Sequence, residues 1–187
     1  VAWHIGLAAV SSGIIMMYRG ALAGLFAIAL SICLYFSTLL LNQTNGHLLL
    51  LLLAAVVAAC DCAAYFVGRS VGGVKLAPSV SPNKTVSGSV GGIVAAIAAM
   101  VLLSGIPALA TITGLGPVTG LDVTVALFLG CGIAVLSQIG DLLESALKRR
   151  LNVKDSSSIL PGHGGLLDRF DGYLFTVPTF YLFFFVT

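Results

Sequence analysis

Apolar residues run along this chain in blocks about as long as a bilayer is thick, and polar residues collect in the gaps. A helix needs about 20 residues, at about 1.5 Å each, to cross a hydrocarbon core of about 30 Å. Blocks of that kind fall near residues 1–18, 20–41, 47–67, 88–106, 122–143 and 170–187, the first and last truncated or marginal. Pro78, Pro82, Pro107, Pro117 and Pro161 lie between blocks, whereas Pro178 lies inside the last and predicts a kink there. The expected fold is all-α: a polytopic transmembrane bundle of about six spanning helices, forming a single domain over residues 1–187.

Composition removes the alternatives. With 58% hydrophobic and 9% charged residues and a mean hydropathy of +1.08, the chain cannot cover its apolar surface with its own polar groups. A soluble domain and a disordered chain are therefore excluded. The 22 glycines show no three-residue period, and the cysteines lie in apolar runs, which favours small buried hydrophobes over disulfides or metal ligands. The chain opens at Val1 without an initiator methionine, basic leader or cleavage site, and so reads as a fragment rather than as a chain with a signal peptide.

Charge then orients the blocks. Arg19 follows the first block; Arg69, Lys75 and Lys84 follow the third; Lys148, Arg149, Arg150, Lys154 and Arg169 follow the fifth. All nine basic residues thus fall on one side, which the positive-inside rule names cytoplasmic. The expected location is an integral membrane position, in the bacterial inner membrane, with the site on the cytoplasmic face. No nucleic-acid partner is expected, because five of the nine cations share one loop with acids and no aromatic stacking pattern accompanies them.

Two acids stand where an ionised carboxylate must be paired, hydrated or bound to a cation: Asp61 inside the third block and Asp141 near the end of the fifth. Ser137, Gln138, Asp141, Glu144, Ser145 and Lys148 follow three- and four-residue spacing and make one polar stripe on an apolar helix. Asp168 and Asp171 share a helical face, and so do Asp61, Tyr65 and Gly68. Three helix ends therefore bring carboxylates toward one pocket. A single membrane acid can equally pair with a basic neighbour to lock helices together, but four acids converging on a basic rim fit that account poorly. Oxygen ligands of this kind favour a magnesium-like ion over zinc or copper.

The loop after the third block mixes cations, hydroxyls and turn formers. Ser81, Lys84, Thr85 and a helix start near Gly88 would suit an anion such as a phosphate chain, although a basic loop obeying the positive-inside rule has the same composition. The loop after the fifth block carries Lys148, Arg149, Arg150 and Lys154, then Pro161-Gly162-His163-Gly164-Gly165, where glycines let the backbone approach a ligand or merely form a turn.

The run from Ser145 to Asp171 resembles the signature of phosphatidate cytidylyltransferases, the CDP-diacylglycerol synthases, in its Lys-Arg, Lys-Asp, Pro-Gly-His-Gly-Gly and Asp-Arg-Phe-Asp elements. Asp61, Ala64-Tyr65, Gly68-Arg69, Lys75, Ser81-Pro82, Lys84-Thr85, Gly88, Gly140-Asp141 and Glu144-Ser145 are similar to that family's upstream pattern. The resemblance covers roughly residues 60 to 171, and the family's usual N-terminal helices are not evident.

The resemblance implies transfer of a cytidylyl group from CTP to membrane phosphatidate, giving CDP-diacylglycerol and pyrophosphate. A phosphate monoester is already a nucleophile, so the chemistry needs charge neutralisation rather than a Ser-His-Asp triad. On this reading Asp141 and Asp168 hold Mg2+, with Glu144 and Asp171 as further ligands or supports. Asp61 completes the pocket or orients a neighbouring base. Ser81, Lys84 and Thr85 bind the triphosphate, with Arg69 and Lys75 also binding substrate. Lys148, Arg149 and Arg169 meet phosphatidate or the departing pyrophosphate, and His163 donates to a phosphate oxygen. A second, monovalent cation such as K+ is also what the resemblance suggests.

The rivals are a CDP-archaeol synthase, a polyprenol kinase and, from another class, an ion-coupled secondary transporter. The transporter predicts acids near the bilayer midplane and repeated halves. Gly20-Ala21-Leu22-Ala23-Gly24 is a small-residue spacing suited to close packing, within the chain or in a homodimer.

Overall fold

The computed structural model describes residues 21–106, 120–151 and 170–185. Its elements are α1 (Ala21–Leu41), α2 (Gly46–Ser70), β1 (Lys75–Ala77), β2 (Ser81–Thr85), α3 (Val86–Ser104), α4 (Gly120–Arg150) and α5 (Tyr173–Phe185). Among the described residues, α1 to α4 are each long and apolar enough to cross a membrane. The block near 1–18 lies outside the described residues. With these helices the chain is an all-α integral membrane protein.

The helices follow from the apolar runs, and their ends follow from local chemistry. Thr85 caps α3, its hydroxyl accepting from the Gly88 N–H at 3.1 Å, a contact that stabilises a helix start by about 1 kcal/mol. The last block, expected over 170–187, forms a shorter helix of 13 residues because an Asp171–Gly172 turn precedes it. Asp171 Oδ1 accepts from the Gly172 N–H at 2.7 Å, and its carbonyl accepts from Leu174 N–H at 3.2 Å. Pro178 stands inside α5, as the sequence places it.

Helix α3 packs between α2 and α4, while α1 and α5 lie together and close the core from the other side. The core draws Leu52, Leu53, Val56, Val57 and Cys60 from α2, Ala96 and Met100 from α3, Ile133 and Ala134 from α4, and Val177 and Phe180 from α5. Small residues let the α2 and α3 backbones approach. A Cβ at Gly88 would stand 2.5 Å from the Ala64 carbonyl oxygen, so only glycine fits that crossing.

The segment joining α2 to α3 is not the irregular loop its turn formers suggest. It folds into an antiparallel hairpin, Lys75 opposite Thr85 and Ala77 opposite Ser81, with an irregular register between. The Val86 N–H donates to the Val74 carbonyl at 2.9 Å, and Ser87 Oγ donates to the Gly72 carbonyl, tying the base of the hairpin to the start of α3.

Candidate functional site

The hairpin, the end of α2, the start of α3 and the middle of α4 enclose a cavity of about 700 Å³. Its wall includes Asp61, Tyr65 and Arg69 from α2, which share a face because they recur at four-residue spacing. Lys75, Asn83, Lys84 and Thr85 come from the hairpin, Gly88 and Ser89 from α3, and Gln138 and Asp141 from α4. α4 is 31 residues long, or about 46 Å, so it outruns the hydrocarbon core by about ten residues. That excess carries the polar stripe beyond the apolar layer.

Electrostatics dominates the wall. Lys84 Nζ is ion-paired with Asp141 Oδ2, joining the hairpin to α4. Asp61, Asp141 and Asp171 lie within electrostatic reach of one another and of Lys84. Ser145 Oγ donates to Asp141 Oδ1 at 3.5 Å. Arg69 donates to the Tyr65 hydroxyl at 2.8 Å, an exposed contact that holds the guanidinium at the cavity edge.

Asp171 reaches this cluster because its turn is seated on α4. A Cβ at Gly140 would lie 2.4 Å from the Asp171 carbonyl oxygen, and one at Gly172 would lie 2.7 Å from Ser137 Oγ. The Gly140-Asp141 pair thus lets one acid stand beside the turn that carries another.

Six residues singled out in the sequence line the cavity: Asp61, Arg69, Lys75, Lys84, Thr85 and Asp141. Five others lie outside its wall. Ser81 opens β2, and Asp171 lies in the turn seated against Gly140. Arg149 is exposed, its Nε donating to the Val80 carbonyl at 3.4 Å across the hairpin turn. Glu144 is fully buried and ion-paired at 2.5 Å with Lys148, one helical turn away. His163, Asp168 and Arg169 lie outside the described residues.

Sequence reasoning missed the connection that closes the cavity floor. Ser89 Oγ donates to Gln138 Oε1, while Gln138 Nε2 donates to the Ser89 carbonyl at 3.1 Å and to Cys60 Sγ at 3.6 Å. One carboxamide therefore joins α2, α3 and α4 a single turn from Asp141. The polar stripe on α4 flagged Gln138, but its partners across the bundle left no trace in sequence spacing. Asn83 was also missed; it lines the cavity beside Lys84.

Among the described residues no three His, Cys, Asp or Glu side chains form a group disposed to hold a metal ion. That does not disqualify the acids as magnesium ligands, because magnesium is commonly held by one or two carboxylates together with substrate phosphates and water. The acids near Lys84 offer hard oxygen donors, so one or two of them suit that mode of binding.

A helical bundle that buries apolar residues along its length and collects cations and carboxylates at one end defines an integral membrane protein with a charged pocket. The chain belongs to the cytidylyltransferase family, which matches it over residues 1–187. It is 44% identical over 158 residues to a phosphatidate cytidylyltransferase of Bacillus subtilis, an alignment covering 84% of this chain and 55% of that protein. It is 45% identical over 161 residues to a phosphatidate cytidylyltransferase of Brucella suis, covering 86% and 55%. An uncharacterised protein of Escherichia coli, YnbB, is 40% identical over 143 residues, covering 76% and 44%. The chain spans about half the length of the curated relatives it matches.

Proposed function

We propose that this chain carries the catalytic region of a phosphatidate cytidylyltransferase, which joins CTP to membrane phosphatidate and releases pyrophosphate. The observation that carries the reading is the cavity wall, where Arg69, Lys75, Lys84 and the Thr85-capped start of α3 face the carboxylates of Asp61 and Asp141. Cations and helix N–H groups suit a triphosphate, and a volume of about 700 Å³ is in the range of small-molecule sites. Substrate identity rests on the names of the relatives.

In the reaction a phosphatidate oxygen attacks the α-phosphorus of CTP. The new P–O bond forms the diphosphate of CDP-diacylglycerol, and the bond between the α- and β-phosphates breaks, its electron pair leaving with pyrophosphate. Two polyanions must approach, so the main contribution required of the protein is fixed positive charge. Lys84 and Thr85 hold the triphosphate from the hairpin and the α3 start. Arg69 and Lys75 grip it from the rim, while Lys148 and Arg149 at the end of α4 meet the lipid phosphate. Asp141 and Asp171, with Asp168 just before Asp171 in sequence, would hold magnesium, which would supply charge neutralisation for the leaving pyrophosphate. Arg69, the hairpin lysines and the basic end of α4 occupy one end of the bundle, which supports a cytoplasmic site in a bacterial inner membrane.

The test is turnover by the purified protein in detergent, supplied with labelled CTP, phosphatidate and magnesium. Labelled lipid should appear, and Asp141→Asn and Asp168→Asn should each abolish it with the melting temperature retained. Near-normal turnover in both variants would remove the assignment. A polyprenol offered in place of phosphatidate should yield no labelled lipid.

A further inference from the structure

The Lys84–Asp141 ion pair joins two groups to which the proposed function gives different ligands. Lys84 serves the triphosphate and Asp141 the divalent cation, yet here each is the other's partner. Lys84 Nζ is shielded from solvent and makes no hydrogen bond beyond that pair among the described residues, although an ammonium has three donors to satisfy. Asp141 is scarcely better supplied, with Lys84 on one oxygen and a long Ser145 contact on the other. Both ends of the pair therefore retain capacity for a stronger partner.

We propose that this pair is a resting latch which triphosphate and divalent cation must exchange, so that the two ligands bind interdependently. The inference rests on the reading of Lys84 and Asp141 given above. With Asp61 and Asp171 close by, Lys84 is the cation that, among the described residues, lies near all three acids. A polyphosphate offers the ammonium more acceptors than one carboxylate does and draws it away. Asp141 then joins an acid cluster from which a neighbouring cation has been drawn away, and the attraction of that cluster for a divalent ion rises. Linkage makes the effect reciprocal: whatever triphosphate adds to metal affinity, metal adds to triphosphate affinity. The geometry also assigns a role to the hairpin, because β2 carries Lys84 and α4 carries Asp141, so exchange releases one tie to α4 and leaves the Arg149–Val80 contact as another.

The latch makes a prediction opposite in sign to simple loss of a binding residue. Free Mn2+ can be followed by electron paramagnetic resonance while the purified protein is titrated without nucleotide or phosphatidate. Lys84→Gln should bind Mn2+ about three- to fivefold more tightly than wild type, the range expected when a partly exposed ion pair no longer competes. Lys84→Arg, which keeps the cation, should stay near wild type. Lys75→Gln removes the same charge from the cavity wall without releasing Asp141, and should tighten binding less.

Equal tightening in Lys75→Gln and Lys84→Gln, or no tightening in Lys84→Gln, would overturn the latch. Asp141→Asn should lose Mn2+ affinity, and Lys84→Gln/Asp141→Asn should be no tighter than Asp141→Asn alone. Unchanged affinity in Asp141→Asn would remove the metal reading and the latch with it. Lost affinity there, with Lys84→Gln unchanged, removes the latch alone. A second measurement does not depend on Lys84 variants folding. CTP binding in the presence of a chelator should tighten several-fold more in Asp141→Asn than in Asp61→Asn, since both remove one charge and only the first releases Lys84; equal tightening overturns the proposal.

Discussion

The apolar length of the α2–α3–α4 trio and its charged end are built on opposite principles. Along the bundle, small residues such as Ala96 and Ala134 are fully buried and Gly130 lies against the backbone at Ile97, so the backbones meet with little side chain between them. At the charged end, contact runs through side chains: Lys84 to Asp141, Arg149 to the Val80 carbonyl, Ser89 to Gln138. The first region is joined by close packing, and the second leaves donors and acceptors in reserve. Close-packed helices set how near the carboxylates stand, and the incompletely satisfied end is where ligands gain most.

The contrast breaks most severely where the two regions join. Gly140 faces the Asp171 carbonyl so closely that Gly140→Val must push the turn before α5 off α4. Displacing a reacting group by about 1 Å can cost a hundredfold in rate, and overpacking costs about 1–3 kcal/mol. Turnover should fall at least about a hundredfold, with a lowered melting temperature. Normal turnover in this variant would show that the seating of Asp171 on α4 has no part in activity.

The next effect is on stability. Glu144 is fully buried and Lys148 only partly exposed, so Lys148→Met takes a cation from a desolvated carboxylate. A loss of about 1–3 kcal/mol is expected, discounted from the fully buried case because Lys148 reaches solvent. Thermal unfolding in detergent measures it, and Glu144→Gln/Lys148→Met should regain much of the loss. Failure of that recovery would mean that Glu144 does not depend on Lys148 for its charge balance.

A smaller effect sharpens the comparison at the cavity floor. Ser89→Ala leaves Gln138 Oε1 short of a donor, at a cost of about 1–2 kcal/mol. Adding Gln138→Met removes the opposite partner and should bring stability back toward wild type, whereas independent, additive losses would contradict a shared contact. The cycle is read from denaturation midpoints.

The spanning helices and much of the cavity were legible because both are carried by short-range periodicity. Runs of apolar residues marked α1 to α4, and three- and four-residue spacing put Asp61 with Tyr65 and Asp141 with Glu144 and Lys148. Periodicity fixes a face but not what meets it. It grouped Glu144 with Asp141 on one stripe, yet Glu144 is turned into a buried pair while Asp141 opens on the cavity. The hairpin was illegible for a different reason. Ser81-Pro82-Asn83-Lys84-Thr85 lacks the alternating β-branched pattern of a strand, and its pairing with Lys75–Ala77 is tied down by Ser87 and Val86 outside the strands themselves. The resemblance that named His163, Asp168 and Arg169 concerns residues outside the described ones.

The smallest expected effect tests what surrounds the packed region. Phe128 on α4 is 77% exposed, and Leu102 on α3 is 74% exposed, values that would imply a large apolar patch on a protein in water. In a bilayer the ring is already in apolar surroundings whether the protein is folded or not, so truncating it gives up little burial. Phe128→Ala should shift unfolding by less than about 0.5 kcal/mol and leave turnover unchanged. If the same face were instead closed by a second copy of the chain, alanine would open a gap in a packed interface and lower stability with protein concentration. A concentration-independent melting temperature close to wild type separates the two, and a marked loss would show that the outward face is packed against protein rather than lipid.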